Sequence, residues 1–536
     1  MRLLLTTIFA SSLFAGVAQS DPENFAIELE PMEITNAPGV HSFSWGKTSD
    51  GKWVILGGRV DGLHQRQPFA AFLEQDNNKN VFVIDPVAGQ VWSSSISVLS
   101  TNLYEQIQST NQNFRQVDTT LYIIGGYGYS SIAADHITYP NLAAIDLNGL
   151  ADAVINSADI TPFFRQITDT NLKNTGGQLG TIGDTFYLVG GQLFDGAYNP
   201  QGPDHGPGFT QVYASAIATF KIADDGVNMS VTDYNEVVDT INLHRRDYNM
   251  AKQIFPNGDI GFTAFSGVFD YNDMPYLNTV DITGSTYAVN NTFNQLLSQY
   301  HSAKVPLYDS LAMCQHTMFF GGLSQFHFDQ TGTLIEDTEV PFVKTISKVT
   351  RLSDGSMQEV ALDYIEMPAL VGPGAEFIPT GEYLIDEDII DLNSIPNEKT
   401  LIGYIYGGIE SSGENIFFVN DGSQSFASNV IFKVFINKSI AGSTEILVGD
   451  KEVFSERVYP NPAKDKISVE YYVPEFAEVT MVILDSSGKQ VKDTQSEKLE
   501  EGSYTTELSV EDLAKGQYIL RLFNGKYYTH YQFIKK

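Results

Sequence analysis

Between Asp21 and Asp450 a short apolar run ending in a glycine pair recurs. It reads Trp53-Val54-Ile55-Leu56-Gly57-Gly58, Leu121-Tyr122-Ile123-Ile124-Gly125-Gly126 and Phe186-Tyr187-Leu188-Val189-Gly190-Gly191. Thr317-Met318-Phe319-Phe320-Gly321-Gly322 and Tyr404-Ile405-Tyr406-Gly407-Gly408 follow, and Phe262-Thr263-Ala264-Phe265-Ser266-Gly267 is a degenerate copy. Runs this short, rich in β-branched and aromatic residues and bounded by turn formers, read as buried strands. The second glycines stand 68, 65, 76, 55 and 86 residues apart, so six units of about 70 fill the segment.

A further strand follows each glycine site: Val81 to Asp85, Leu142 to Asp146, Ile217 to Ile222, Leu277 to Asp281, Ile346 to Leu352 and Val430 to Ile436. This pattern resembles a kelch β-propeller, in which each blade is a four-stranded antiparallel sheet. The resemblance implies an all-β fold, a six-bladed kelch-like propeller over residues 21–450. Units longer than kelch repeats usually are, and a repeat tryptophan in the first unit alone (Trp92), depart from the family pattern. Residues 25–34, which open with the alternating segment Phe25-Ala26-Ile27-Glu28-Leu29-Glu30, are expected to supply the outer strand of the sixth blade, covering an edge that would otherwise stay open.

The ends differ from the middle. Arg2, the apolar stretch Leu3 to Ala18 and the small residues of Ala18-Gln19-Ser20 read as a signal peptide over residues 1–20. No later run is long enough to cross a membrane as a helix, so no span is expected in the mature protein. Residues 451–536 carry 12 basic and 14 acidic residues, against 19 and 51 between Asp21 and Asp450. That shift sets a domain boundary near residue 450. Stretches such as Ile467 to Tyr471 and Val479 to Leu484 read as strands of a small β-sandwich. Val458-Tyr459-Pro460-Asn461-Pro462, Asp485-Ser486-Ser487-Gly488-Lys489, Leu513-Ala514-Lys515-Gly516 and the closing Phe533-Ile534-Lys535-Lys536 resemble the C-terminal sorting domain of the type IX secretion system of Bacteroidetes. The resemblance implies handling by that machinery, removal of the tail, and a place outside the cell or on its surface.

The net charge of −33 excludes nucleic acid as a partner, because a polyanion requires neutralising Lys and Arg. One cysteine, Cys314, excludes an internal disulfide or a multi-cysteine metal site, and it is placed in the inner strand of the fifth unit as packing. Templates for zincins, serine hydrolases and sialidases are missing, and no metal site is assigned. A copper radical oxidase, which shares kelch-like blades, finds no support in a lone cysteine placed for packing. The acidic run Asp386 to Asp391 is expected to be a solvated loop; calcium is the one cofactor it leaves open.

Seven of the eight propeller histidines fall in connections that a propeller gathers on one face. That face supplies the candidate ligand-binding residues Arg66, Tyr127, Tyr129, His205, His244, Arg245, Arg246, Tyr248 and His327. Arginine grips carboxylates or phosphates in a planar fork, and aromatic rings suit sugar faces. The expected function is a secreted or surface binding protein for a glycan or another protein. The alternative is a secreted kelch-type sugar epimerase or mutarotase acting on an anionic sugar, because kelch enzymes of that kind are secreted six-bladed propellers.

Overall fold

The computed structural model describes residues 25–199, 202, 208–329, 332–439, 445–448, 458–473, 476–485, 490–523 and 528–536. The expected signal peptide, His205 and the turn at 486–489 lie outside the described residues. The fold is all-β; among the described residues only Thr101–Ile107 and Leu147–Ile155 are α-helices.

Five sheets follow one another along the chain, each built on four antiparallel strands that run inner to outer in sequence; the first four are four-stranded, and the fifth carries one further strand at each edge. Their inner strands are Ser44–Lys47, Asn113–Val117, Gln178–Ile182, Asn249–Ile254 and Ala303–Asp309. The sixth sheet orders Ala375–Pro379, Thr400–Gly407 and Ile431–Asn437, and its fourth strand is Ala26–Met32 from the other end of the chain. Ala26 pairs with Asn437 and Met32 with Ile431, so the first strand covers the edge that the last leaves open.

Strand alternation explains why the second strands are continuously apolar. Side chains point alternately to the two faces, and both faces here are covered. Val54 and Leu56 pack with Leu121 and Ile123 of the second sheet, while Trp53 and Ile55 pack with Tyr404 and Tyr406 of the sixth. Separate apolar cores likewise join the second to the third sheet, the third to the fourth, the fourth to the fifth and the fifth to the sixth.

The glycine pairs sit where neighbouring sheets approach most closely. Gly125 has φ 67°, and a Cβ there would lie 1.7 Å from the Asn174 carbonyl oxygen, which enters the next sheet. The last pair makes the same contact with the first sheet: Gly408 N–H donates to the Val40 carbonyl at 2.9 Å.

Two features were not foreseen. Glu445–Val448 adds an outer strand to the fifth sheet, pairing Val448 with Glu359. Cys314 opens the second strand of that sheet, Cys314–Phe320, rather than the inner one; it is buried, which pushes its thiol up to about 11. Beyond residue 457, Val458–Tyr459, Lys466–Val473 and Gly502–Ser509 form one sheet. Gln490–Leu499, Ala477–Asp485, Gly516–Phe523 and Tyr528–Lys535 form another. Ile467, Val469, Ile483, Leu520 and Phe533 share one core between them. No helix among the described residues is long and apolar enough to cross a membrane.

Candidate functional site

The six inner strands line one chamber of about 410 Å³, to which each contributes. At Gly180 a Cβ would meet the Phe262 ring, which reaches in from the second strand of the fourth sheet, at 2.5 Å. The walls carry the rings of Trp45, Phe114, Phe262 and Phe377. Four cations also line it, Lys47, Arg115, Lys252 and Lys304. They are four of only 19 basic residues between Asp21 and Asp450, so positive charge is concentrated here against a strongly acidic background.

The connection from Pro379 to Thr400 lines one end of the chamber through Leu384, Glu387 and Asp388. Elsewhere inner and second strands are joined by turns of two to five residues, whereas here residues 380–399 intervene. Ile390–Asp391 pairs in parallel with the inner strand of the fifth sheet, Leu307 opposite Ile390, and this folds the connection across the axis. The acidic run is therefore not a solvated loop. Arg115 Nη1 donates to both Asp388 oxygens at 2.7 Å, and its Nη2 donates to Glu387 Oε2 at 2.5 Å. Lys252 Nζ reaches Asp386 Oδ1 at 2.5 Å. Burial works to raise the Asp388 carboxyl, but the charge and hydrogen bonds of Arg115 outweigh it and hold the group below the usual carboxylate range.

Lys304 and Glu376 face the chamber from adjacent inner strands. Burial raises the Glu376 carboxyl, opposed by the Lys304 charge and the neighbouring Trp45 indole. Among the described residues the Lys304 ammonium makes no hydrogen bond and no ion pair within 4 Å. At the end where the inner strands begin, His301 is pushed down by burial, and Asp247 Oδ1 is buried without a hydrogen-bond partner among the described residues.

The candidates read from sequence fall into several groups. Tyr127 is buried, donating to the Gly196 carbonyl at 2.7 Å, and it packs against Phe72, His136 and Phe194. His64 belongs to that aromatic cluster, stacking on Phe72 and meeting Tyr198 at 4.6 Å; burial lowers it to about 4. Tyr129 lies edge-on to His136, and Arg66 stands over the Phe418 ring at 4.9 Å. His244 is sandwiched between Tyr213 at 3.7 Å and Tyr271 at 4.7 Å, and Arg246 beside it donates to Tyr213 Oη and pairs with Asp247. His327 lies on Phe326–Phe328 in the fifth unit, away from these groups, with Nδ1 unbonded among the described residues.

Two of the candidates point inward. Arg245 is 1% exposed, and its guanidinium donates to the carbonyls of Asn242, Ser266 and Asn278 and to Asn278 Oδ1, over the Tyr276 ring. Without a carboxylate beside it, burial lowers it to about 10. Tyr248 is also 1% exposed and donates to the Val189 carbonyl. Neither presents a group to a face. Lys304, Arg115, Lys252 and Glu376 were missed, because inner strands gave no motif and the signal lies in which strands share an axis. Among the described residues no group of three or more His, Cys, Asp or Glu could hold a metal ion.

A comparison with curated proteins finds no match. Among solved structures, one titled "Structure of YjhT" is 10% identical with a TM-score of 0.41, covering 78% of this chain and 97% of that one. A likeness that faint carries no weight for fold or function. Residues 457–536 match the family described as the secretion system C-terminal sorting domain, so the chain ends in a type IX sorting domain that directs it out of the cell.

Proposed function

We propose that the six N-terminal sheets close as a six-bladed kelch-like β-propeller, and that this propeller is an exported binding module taking a glycan into its central chamber. Six apolar cores joining each sheet to the next, with Trp53 and Tyr404 linking the last to the first, support the closed ring. The observation that carries the binding reading is the chamber itself. Its volume lies within the range of small-molecule sites, roughly 300–1,000 Å³, and it combines aromatic walls with a few polar groups. Rings stack on sugar faces while Lys304 and Glu376 fix orientation. Arg66, Tyr129, His244 and Arg246 would read the part of the ligand outside it.

Trp45 lines the chamber and is one of three tryptophans, which makes intrinsic fluorescence a direct probe. Titrating mono- and oligosaccharides into the full chain should give a saturable change that Trp45→Phe removes and Trp92→Phe keeps. A change that survives Trp45→Phe would place the ligand elsewhere.

A second reading has one observation in its favour. Glu376 is raised and His301 lowered by burial in the same chamber, which is how an acid and a neutral base are prepared near neutral pH. That pair suits epimerisation or anomer exchange of an anionic sugar. Exchange of anomers followed by NMR should then vanish in Glu376→Gln; equal rates in both proteins would remove the enzymatic reading.

A further inference from the structure

The connection that lines one end of the chamber has an unusual composition and unusual partners. Most connections in compact folds are far shorter than about 20 residues, and this one carries only the short strand Ile390–Asp391 and the 3-10 turn Leu392–Ser394. Residues 380–399 form the only inner connection of that size among the six sheets, and three consecutive carboxylates sit at its tip. Those carboxylates meet cations that belong to the inner strands of other sheets: Arg115 of the second and Lys252 of the fourth. Arg115 and Lys252 are 12% and 5% exposed, and the ion pairs they form are with this connection alone among the described residues. Without it, two buried cations would stand unneutralised, at considerable cost.

A third cation is present and is not used. Lys304 lines the same chamber within electrostatic reach of Asp388 and Glu376, yet its ammonium makes no ion pair or hydrogen bond among the described residues. A purely structural plug would need no spare ammonium group behind it. We infer that Asp386, Glu387 and Asp388 are a tethered stand-in for a ligand, and that the chamber is a site for a small molecule bearing two or more carboxylates, bound by Arg115, Lys252 and Lys304. This rests on the chamber being the binding site, and it adds the chemical class of the ligand and its built-in competitor.

The physical consequence is competition. A tethered partner acts at a high effective concentration, of millimolar order for short flexible links. An external polycarboxylate therefore binds weakly until the loop is displaced or neutralised, and it binds more weakly as salt rises. Arg115 is the discriminating group, because its fork already holds two carboxylates at once. The chamber walls hold Trp45, Phe114 and Phe377, so a carboxylate on a ring finds a stacking surface as well.

The test uses the full chain and isothermal titration calorimetry with digalacturonate, with citrate and with uncharged galactobiose. In the variant carrying Asp386→Asn, Glu387→Gln and Asp388→Asn, digalacturonate should bind at least about tenfold more tightly than in the unaltered protein, the gain expected when a tethered competitor is removed. Lys304→Ala added to that variant should abolish the gain. Glu387 is 57% exposed, so Glu387→Gln alone, which leaves the buried pairs intact, should give a smaller gain in the same direction and serves if the triple variant does not fold. Citrate binding as tightly as digalacturonate would assign the site to carboxylates in general; a preference for digalacturonate assigns it to acidic sugars. Galactobiose binding as well as digalacturonate would overturn the inference while leaving the chamber a glycan site. Unchanged or weaker digalacturonate binding in folded loop variants would also overturn it. If no saccharide binds any variant, both this inference and the binding reading fall.

Discussion

Two buried ionisable residues show how far side-chain chemistry can be separated from surface function. Glu359 is fully buried on an outer strand of the fifth sheet, one carboxyl oxygen accepting from the Leu297 N–H at 3.2 Å and the other unbonded among the described residues. Burial raises it to about 8. An unfolded glutamate titrates near ~4.3, so between that pH and about 8 the native state holds a proton that the unfolded state has lost. The stability that the protonated form contributes is complete below the unfolded value. It is lost as pH rises through the native one, at up to about 1.4 kcal/mol per pH unit. Denaturant melts from pH 5 to 9 should show that decline flattening above about 8, and Glu359→Gln should remove it. An identical slope in both proteins would show that the decline comes from other groups. Arg245 is the companion case. Its run His244-Arg245-Arg246-Asp247-Tyr248 looks like a ligand grip in sequence, but Tyr276 and Asn278, some 30 residues later, close over it. Arg245→Met should cost about 2–4 kcal/mol by stranding three carbonyls, with glycan binding unchanged in whatever fraction remains folded. Burial by distant segments is what a local motif cannot reveal. The same holds for Arg115, Lys252 and Lys304, which unremarkable inner strands bring together from three different sheets.

At the scale of elements, strand placement was legible because it depends on neighbours in sequence. Apolar runs with glycine pairs marked the second strands, and the alternating Phe25 to Glu30 segment marked an edge strand with a purpose. The added strand Glu445–Val448 and the hairpin Gln192–Gly196 with Phe209–Tyr213 were not legible, since pairing partners are chosen by tertiary proximity. The long connection from Pro379 to Thr400 was seen as an insertion, but its acids were misread as solvated, because their cationic partners lie 134 and 273 residues away. Ala26–Met32 carries the most exposed test of the architecture. Its seven pairings cover Ile431–Asn437, and Ile27 adds a fully buried side chain to the core between the fifth and sixth sheets. Replacing Ile27 and Leu29 by Asp should free that edge, lowering the melting temperature and producing oligomers in size-exclusion chromatography. A monomer with unchanged melting would mean that the strand adds nothing to the stability of the sixth sheet.

The whole molecule combines two parts of different character. Asp21 to Asp450 has a large excess of acids, while residues 451–536 are close to neutral. Self-repulsion in the acidic part is screened by salt, so its stability should rise with ionic strength over the range where the Debye length falls from about 10 Å to about 3 Å. The sorting domain has its own core around Ile467, Ile483 and Phe533, and its family match begins at residue 457, beyond the strand Glu445–Val448 that completes the fifth sheet. A cut at that point divides no sheet of either part. Deleting residues 457–536 should therefore leave the thermal transition of the remaining protein unchanged while stopping its passage across the outer membrane. Fractionation and immunoblotting of cells expressing the two forms would read both the location and the amount. Retention of a folded, protease-resistant truncated protein inside the envelope is the expected result. Appearance of the truncated form in the medium, at the level of the full chain, would show that export signals reside in the sheets. Loss of the truncated form from every fraction would show instead that the tail is needed for folding, contrary to the separate cores.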